Sequence, residues 1–181
     1  MVEQIIDACC LINLYASGNI KDVISASGAT FHVSEQVRSE SLLIRQVDPN
    51  DPLLLIPFPI DLTEAIANDL LKECDFESET EMRLFAEFAT EIDDGEASCF
   101  AIAKSRGWLV ATDDLKATRI ATQAGIRVIS TPELIERWVK ASIPASQEIS
   151  EAVLAIERFA RFRPRRANPL YDWWLAVSVP H

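Results

Sequence analysis

Short apolar segments alternate with helical patterns along most of this chain, and the alternation restricts the fold more than any other feature. Strands joined through helices form parallel sheets with helices on both faces. The sequence therefore predicts the α/β class, as a three-layer α/β/α fold around a central parallel sheet. The four segments typical of buried strands are Val2 to Ile6, Ala29 to Val33, Trp108 to Ala111 and Ile126 to Ile129.

The expected helices and boundaries are less regular beyond the second strand. Ser34 is expected to cap a helix that contains Glu40 and extends through Leu43. Within a proline-bearing connection, Leu53 to Ile56 is expected to form one buried strand. Ile143 to Ser146 marks a boundary between a domain of residues 1–140 and a C-terminal helix and tail of residues 141–181, packed on the domain or on a partner.

Acidic residues stand where predicted strands and helices meet. Asp7 follows the first strand, and Asp113 and Asp114 follow the third. Glu96 lies in the first turn of the helix before the third strand, and Glu40 lies in the helix after the second. Ligands of open parallel sheets bind beyond the carboxyl ends of the strands, so these five carboxylates are expected to share one pocket.

A cluster of this kind points to a bound cation. Carboxylates that face one another without compensation repel and raise one another's pKa. Hard oxygen ligands without nearby His or Cys favour Mg²⁺ or Mn²⁺ over zinc. Such an ion lowers the pKa of an attacking water and stabilises charge on the leaving oxygen, which suits cleavage of a phosphodiester.

The net charge of −11 excludes a protein that coats nucleic acid through bulk electrostatics. The charge is uneven, with 12 Lys+Arg against 24 Asp+Glu in residues 1–140 and 5 against 4 in residues 141–181. The arginines at 158–166 are interleaved with Phe159 and Phe162 and followed by Tyr171 and Trp173. They could hold phosphates and stack unpaired bases, or form a solvated helix end whose aromatic side chains dock on the domain or on a second subunit. The acidic remainder of the chain favours the second interpretation, because it offers the arginines an attractive partner.

The remaining composition predicts a cytoplasmic protein without a membrane segment. No signal peptide is readable after Met1, and the longest apolar stretch, Pro52 to Ile60, is too short to span a bilayer. The four cysteines match neither a zinc spacing nor a disulfide framework, and they are expected to be small buried residues: Cys9, Cys10, Cys74 and Cys99.

Four motifs, which together cover roughly residues 2–140, resemble the PIN domain family, especially the VapC-like toxins and related prokaryotic PIN-domain ribonucleases. The apolar frame around each acid carries the resemblance. The motifs are IIDACCLINL (Ile5 to Leu14), VRSE (Val37 to Glu40), DDGEASCFAIAKSRGWLVATDD (Asp93 to Asp114) and GIRVIS (Gly125 to Ser130).

The resemblance implies a metal-dependent endoribonuclease that cuts single-stranded RNA. It also implies that the chain can form a homodimer and can be neutralised by a small antitoxin, as toxins of this family are. Thr112 would accompany the fourth acid, and Cys9 stands where the family usually has a hydroxyl residue. Either Asp113 or Asp114 could bind the metal directly, and Asp114 is favoured. The family's four catalytic acids would correspond to Asp7, Glu40, Glu96 and Asp114, with Asp113 as a further candidate metal ligand.

Other interpretations remain open at this point. Each acid taken alone is explained as a helix cap or a solvated helix residue. A non-catalytic PIN-like interaction module would use the acidic face or the C-terminal helix to bind a protein. A haloacid-dehalogenase-type phosphatase is a weaker choice, because Cys9 replaces the second aspartate of such enzymes.

Overall fold

The computed structural model describes residues 2–40 and 42–179. The described strands are β1 (Val2–Ile6), β2 (Ala29–Ser34), β3 (Leu43–Asp48), β4 (Asp51–Pro59), β5 (Lys72–Cys74), β6 (Leu109–Ala111) and β7 (Arg127–Ile129). The described helices are α1 (Ala8–Ala16), α2 (Ile20–Ser27), α3 (Glu35–Ser39), α4 (Thr63–Ala67), α5 (Glu79–Phe88), α6 (Asp94–Arg106), α7 (Leu115–Gln123), α8 (Thr131–Ser142), α9 (Ser146–Ala155) and α10 (Tyr171–Val177), with a π-helical turn at Ile156–Ala160.

The chain divides into two compact units, each assembled from separate stretches. The first unit comprises residues 2–11, 28–40 and 61–131 of the described chain, and the second comprises residues 12–27, 42–60 and 132–179. None of the described helices is both long enough and apolar enough to cross a membrane. The predicted boundary after residue 140 stays a prediction.

A five-stranded parallel sheet forms the centre of the first unit. Its strand order is β5-β2-β1-β6-β7, and every neighbouring pair is parallel. Ile5 of β1 lies opposite His32 of β2 and Val110 of β6, so the carboxyl ends of these three strands are adjacent. The predicted α/β class with a central parallel sheet is confirmed.

Side-chain caps begin α5 and α6 of the first unit. The Ser78 hydroxyl accepts from the Glu81 N–H at 3.2 Å at the start of α5. Asp93 accepts from the Glu96 N–H at 2.8 Å at the start of α6. At its other end α6 stops at Gly107, whose φ of 71° suits a residue without a side chain.

One buried ion pair ties α5 to the end of α6. The Arg106 guanidinium donates to the Glu81 carboxylate at 2.7 Å, and Glu81 is only 2% exposed. Arg106 lowers the pKa of Glu81 below its ordinary value, and the guanidinium carbon also lies 5.0 Å from the Trp108 ring centroid. The contacts fix the helix whose first turn carries Glu96.

The prediction of one buried strand at Leu53 to Ile56 is wrong. β3 and β4 pair with each other in a separate antiparallel hairpin of the second unit, and Leu53 is 95% exposed. The prolines in β4 supply the reason, because a proline has no N–H to donate and is excluded from the middle of a sheet. The apolar run resembled a core strand in composition but not in hydrogen-bonding capacity.

The helix after Ser34 is shorter than predicted. Ser34 caps α3 as expected, since its side chain accepts from the Val37 N–H, but the helix ends at Ser39. Glu40 is the C-cap residue in extended conformation (φ −71°, ψ 154°), not a residue within the helix, and Leu43 begins β3. Two short elements, β5 and α10, carry too few residues to show a periodic pattern and were not predicted.

Candidate functional site

Asp7 is a buried carboxylate directly after β1, and it is 1% exposed. Its N–H donates to the Ala111 carbonyl at 3.0 Å, which continues the pairing of β1 with β6 beyond the last strand residue. Its carboxylate accepts from the Cys10 N–H at 2.8 Å and from the Cys9 thiol at 3.4 Å. All these donors are neutral, and burial raises the pKa of Asp7 from 3.8 to about 7.

Glu96 shares this electrostatic environment. It lies in the first turn of α6, as the sequence predicts, and it is half-buried. Burial raises its pKa from 4.5 to about 7, and the negative charges of Asp93, Asp114 and Asp7 act in the same direction. Acids from β1 and from the segment after β6 therefore act on one carboxylate.

The two acids after β6 have different partners. Asp113 accepts from the Thr131 N–H at 2.9 Å through one oxygen and from the Thr131 hydroxyl through the other. Asp114 is the N-cap of α7, and its Oδ1 accepts from the Ala117 N–H at 2.8 Å. Thr112 links Asp7 to the segment after β6. Its hydroxyl accepts from the Asp114 N–H at 3.2 Å, and its side chain is hydrogen-bonded to Asp7.

Glu40 lies in a cleft that is also lined by Asp93 and Asp94. Burial and then the charges of Asp93 and Asp94 raise its pKa above the ordinary value. Its carboxylate rests on Gly95, because a Cβ built at Gly95 would overlap Oε1 of Glu40. The cleft has a volume of about 710 Å³ and is lined by Glu35, Gln36, Ser39, Glu40, Asp93, Asp94 and Gly95.

The structure thus brings together most of the predicted site residues but not all of them equally. Asp7 and Asp114 both act on Glu96, and Asp113 acts on Asp7, whereas Glu40 is coupled to Asp93, which also acts on Glu96. Among residues 2–40 and 42–179, no three side chains of His, Cys, Asp or Glu lie close enough to hold a metal ion.

Sequence reasoning missed two residues that organise the site. Asp93 looked like part of a helix-breaking Asp-Asp-Gly, although an aspartate three positions before a glutamate is a recognisable capping signal. Thr131 is fully buried, and its bonds to Asp113 span 18 residues of sequence. No local pattern reports a contact of that range.

The donor set matches the chemistry of a hard divalent cation. The carboxylates and hydroxyls supply oxygen, and the buried Asp7 carries no cationic partner among the described residues. The negative charge of Asp7 disfavours ionisation of Glu96, and a cation bound between them would favour it. Mg²⁺ keeps several waters and uses as few as one or two carboxylates, so it does not require three protein ligands in contact.

Fold and site together define an α/β protein with acids at the carboxyl edge of a parallel sheet. A family model described as a PIN domain matches residues 3–168. The chain therefore belongs to the PIN domain family, and the PIN-like α/β/α class predicted from the motifs is confirmed. Proteins of this family are generally nucleases. Neither the curated proteins nor the solved structures contain a match to the chain.

The different partners of Asp113 and Asp114 give a stability prediction. Asp113→Ala removes the acceptor of the buried Thr131 N–H and one partner of the Thr131 hydroxyl, which costs roughly 2–3 kcal/mol of unfolding free energy. Asp114→Ala removes a helix cap and costs about 1 kcal/mol. Urea unfolding of both variants without metal measures the difference, and a larger loss for Asp114→Ala would show that Asp113 is not the structural member of the pair.

Proposed function

We propose that this chain is a metal-dependent endoribonuclease that hydrolyses phosphodiester bonds in single-stranded RNA. One observation carries the proposal: Asp7 is a fully buried carboxylate with neutral partners, and Glu96 is held within its electrostatic reach. Burying a charged carboxylate costs free energy, and an asparagine would accept the same hydrogen bond without that cost. A purely structural role therefore does not explain an acid at this position. A cation-binding role explains why an acid stands there.

Within the proposal the acids have distinct roles. Asp7 and Asp114 are the principal ligands of Mg²⁺ or Mn²⁺, and Glu96 completes the site. Asp113 serves mainly to fix the backbone after β6, because Thr131 engages both of its oxygens. Glu40 holds a second cation or orients a water in the cleft beside α6.

The chemistry follows from these positions. When bound, the divalent ion supplies Lewis acidity toward water and toward the scissile phosphate. Thr112 and the Cys10 N–H hold the Asp7 carboxylate in one orientation through their hydrogen bonds. The pKa of Glu96 is raised to about 7, so in the absence of the ion this carboxyl group is partly protonated near neutral pH rather than fully charged.

The finer assignment is a cytoplasmic, dimeric VapC-like toxin that a small antitoxin neutralises. Its support is the motif resemblance over residues 2–140. A small reading frame directly upstream of the gene, whose product binds this chain and suppresses cleavage, would support the toxin role. A gene with no such neighbour would leave a PIN ribonuclease without an antitoxin.

The first test is cleavage of an end-labelled single-stranded RNA by the purified chain with Mg²⁺, with Mn²⁺ and with EDTA. Asp7→Asn should reduce metal-dependent cleavage at least about 100-fold, because loss even of residues that only support metal ligands costs 10–100-fold. Asp22→Asn, on the exposed face of α2, is the matched control and should cleave like the wild type. Equal cleavage by wild type and Asp7→Asn would remove Asp7 from the site.

The contact between Glu40 and Gly95 gives a second test. Gly95→Ala places a methyl group where the Glu40 carboxylate lies, while alanine is a better helix former than glycine. Gly95→Ala and Glu40→Ala should therefore reduce cleavage by similar factors without loss of fold, and the double variant should be no worse than either. Multiplicative losses in the double variant would show that the two residues act separately.

A second candidate function is a non-catalytic PIN-like module that binds a protein. The observation in its favour is that no three potential ligands among the described residues are close enough to hold a metal ion. A folded wild-type chain that neither cleaves RNA nor binds Mn²⁺, after removal of any co-purified inhibitor, would favour this candidate.

A further inference from the structure

The first of the two units carries all of the net negative charge of the chain. The first unit carries 8 Lys+Arg against 19 Asp+Glu, a net charge of −11, whereas the second carries 9 against 9. The proposed nuclease site belongs to the first unit, so the unit that would cut RNA repels its phosphates. Binding of the polymer therefore needs a source of positive charge elsewhere in the chain.

The second unit contains such a source, which we call the arginine segment, residues 158–166. Its five arginines are exposed, and they are Arg158, Arg161, Arg163, Arg165 and Arg166. Among the described residues, Arg163 is the only one of them that forms an ion pair, and its partner, Glu157, lies in the same region of the chain. The other four arginines are exposed and form no ion pair among the described residues, so their guanidinium groups are available to an anion.

Glu157 and Trp174 hold the arginine segment in one conformation. The Glu157 carboxylate accepts from the Arg163 Nε at 2.7 Å and from the Trp174 indole at 2.9 Å. Trp174 is fully buried and meets Phe162 edge to face, with ring centroids 5.9 Å apart. Arg161 ends the π-helical turn in a left-handed conformation with φ of 58°. The exposed arginines thus project from a packed scaffold.

Beyond Arg161 the segment stays ordered by local bonds. Pro164 is buried between exposed neighbours, and the Asn168 N–H donates to the Arg165 carbonyl at 2.8 Å. Aromatic side chains accompany the charges, since Arg158 lies 5.3 Å from the Phe159 ring centroid and Trp173 is half-buried in α10. Guanidinium groups with partly accessible aromatic faces are the combination that binds phosphates and unstacked bases of single strands.

We propose that the arginine segment is a binding surface for the phosphate backbone of single-stranded RNA, separate from the catalytic acids. The identity of the polymer rests on the proposed function, since a ribonuclease must hold RNA and its acidic unit does not attract it. Arg165 and Arg166 supply the strongest contribution, because they are adjacent, exposed and unpaired among the described residues. Arg158 and Arg161 extend the same surface.

The test is binding of a fluorescently labelled single-stranded RNA to the full chain in EDTA, measured by anisotropy at several salt concentrations. Arg165→Ala/Arg166→Ala should weaken binding about tenfold or more at low salt. The slope of log K against log salt should fall by about 1.4, because each phosphate contact of a single strand contributes roughly 0.7. Arg165→Lys/Arg166→Lys should stay close to wild type, since lysine also neutralises phosphate.

A matched control separates local contacts from net charge. Arg83→Ala/Arg119→Ala removes two exposed arginines from the first unit and changes the net charge equally, so it should leave RNA binding unchanged. Unaltered binding in the Arg165/Arg166 double alanine variant, or equal losses in both double variants, would overturn the proposal. So would polyglutamate of equal charge displacing the RNA as well as unlabelled RNA does, since the surface would then suit an acidic polypeptide.

The binding assay also distinguishes this proposal from the nuclease proposal. Loss of RNA binding in the Arg165/Arg166 double alanine variant, with no cleavage by the wild type in Mn²⁺, would leave the RNA-binding surface standing and overturn the nuclease. Cleavage by the wild type, with binding unaffected by the same variant or undetectable in EDTA, would leave the nuclease standing and overturn the surface.

Discussion

The burial of Asp7 is the constraint on which the rest of the site depends. A carboxylate without water needs hydrogen bonds and an opposite charge, and this one has only neutral donors from Cys9, Cys10 and Thr112. Its pKa near 7 expresses the resulting cost. The negative charges of the remaining acids increase that cost. A bound cation would offset it, which gives a physical reason for the arrangement of the acids.

The fold brings the acids together through the order of its strands. β1 lies between β2 and β6, so residues that follow these strands meet at one edge although they are far apart in sequence. Helix caps do part of the positioning, because Asp93 and Asp114 each hold the first turn of a helix while adding charge to Glu96. An acid that caps a helix can therefore also contribute negative charge to the site.

Much of this arrangement could be predicted from the sequence, because it rests on local signals. Residues a few positions apart indicate the alternation of strands and helices, the caps at Ser78 and Asp114 and the end of α6 at Gly107. The positions of Asp7 and Glu96 relative to their strands and helices follow from the same signals.

The failures have physical causes that local patterns do not report. The apolar run in β4 has the composition of a core strand, yet its prolines confine it to a hairpin. Glu40 was placed in a helix because the pattern continued, whereas the chain turns to extended conformation at that residue and rests the carboxylate on Gly95. The bond between Asp113 and Thr131, and the pairing of Glu157 with Arg163 and Trp174, depend on tertiary packing.

The most direct test of the account is whether a divalent ion stabilises the fold through Asp7. Thermal unfolding of the wild type and of Asp7→Asn would be followed at neutral pH in EDTA and in increasing Mn²⁺. The wild type should gain about 2.7 kcal/mol at a Mn²⁺ concentration 100 times its Kd, while Asp7→Asn should gain little. A wild type unaffected by Mn²⁺, or an equal gain in both proteins, would contradict the claim that these acids form a cation site.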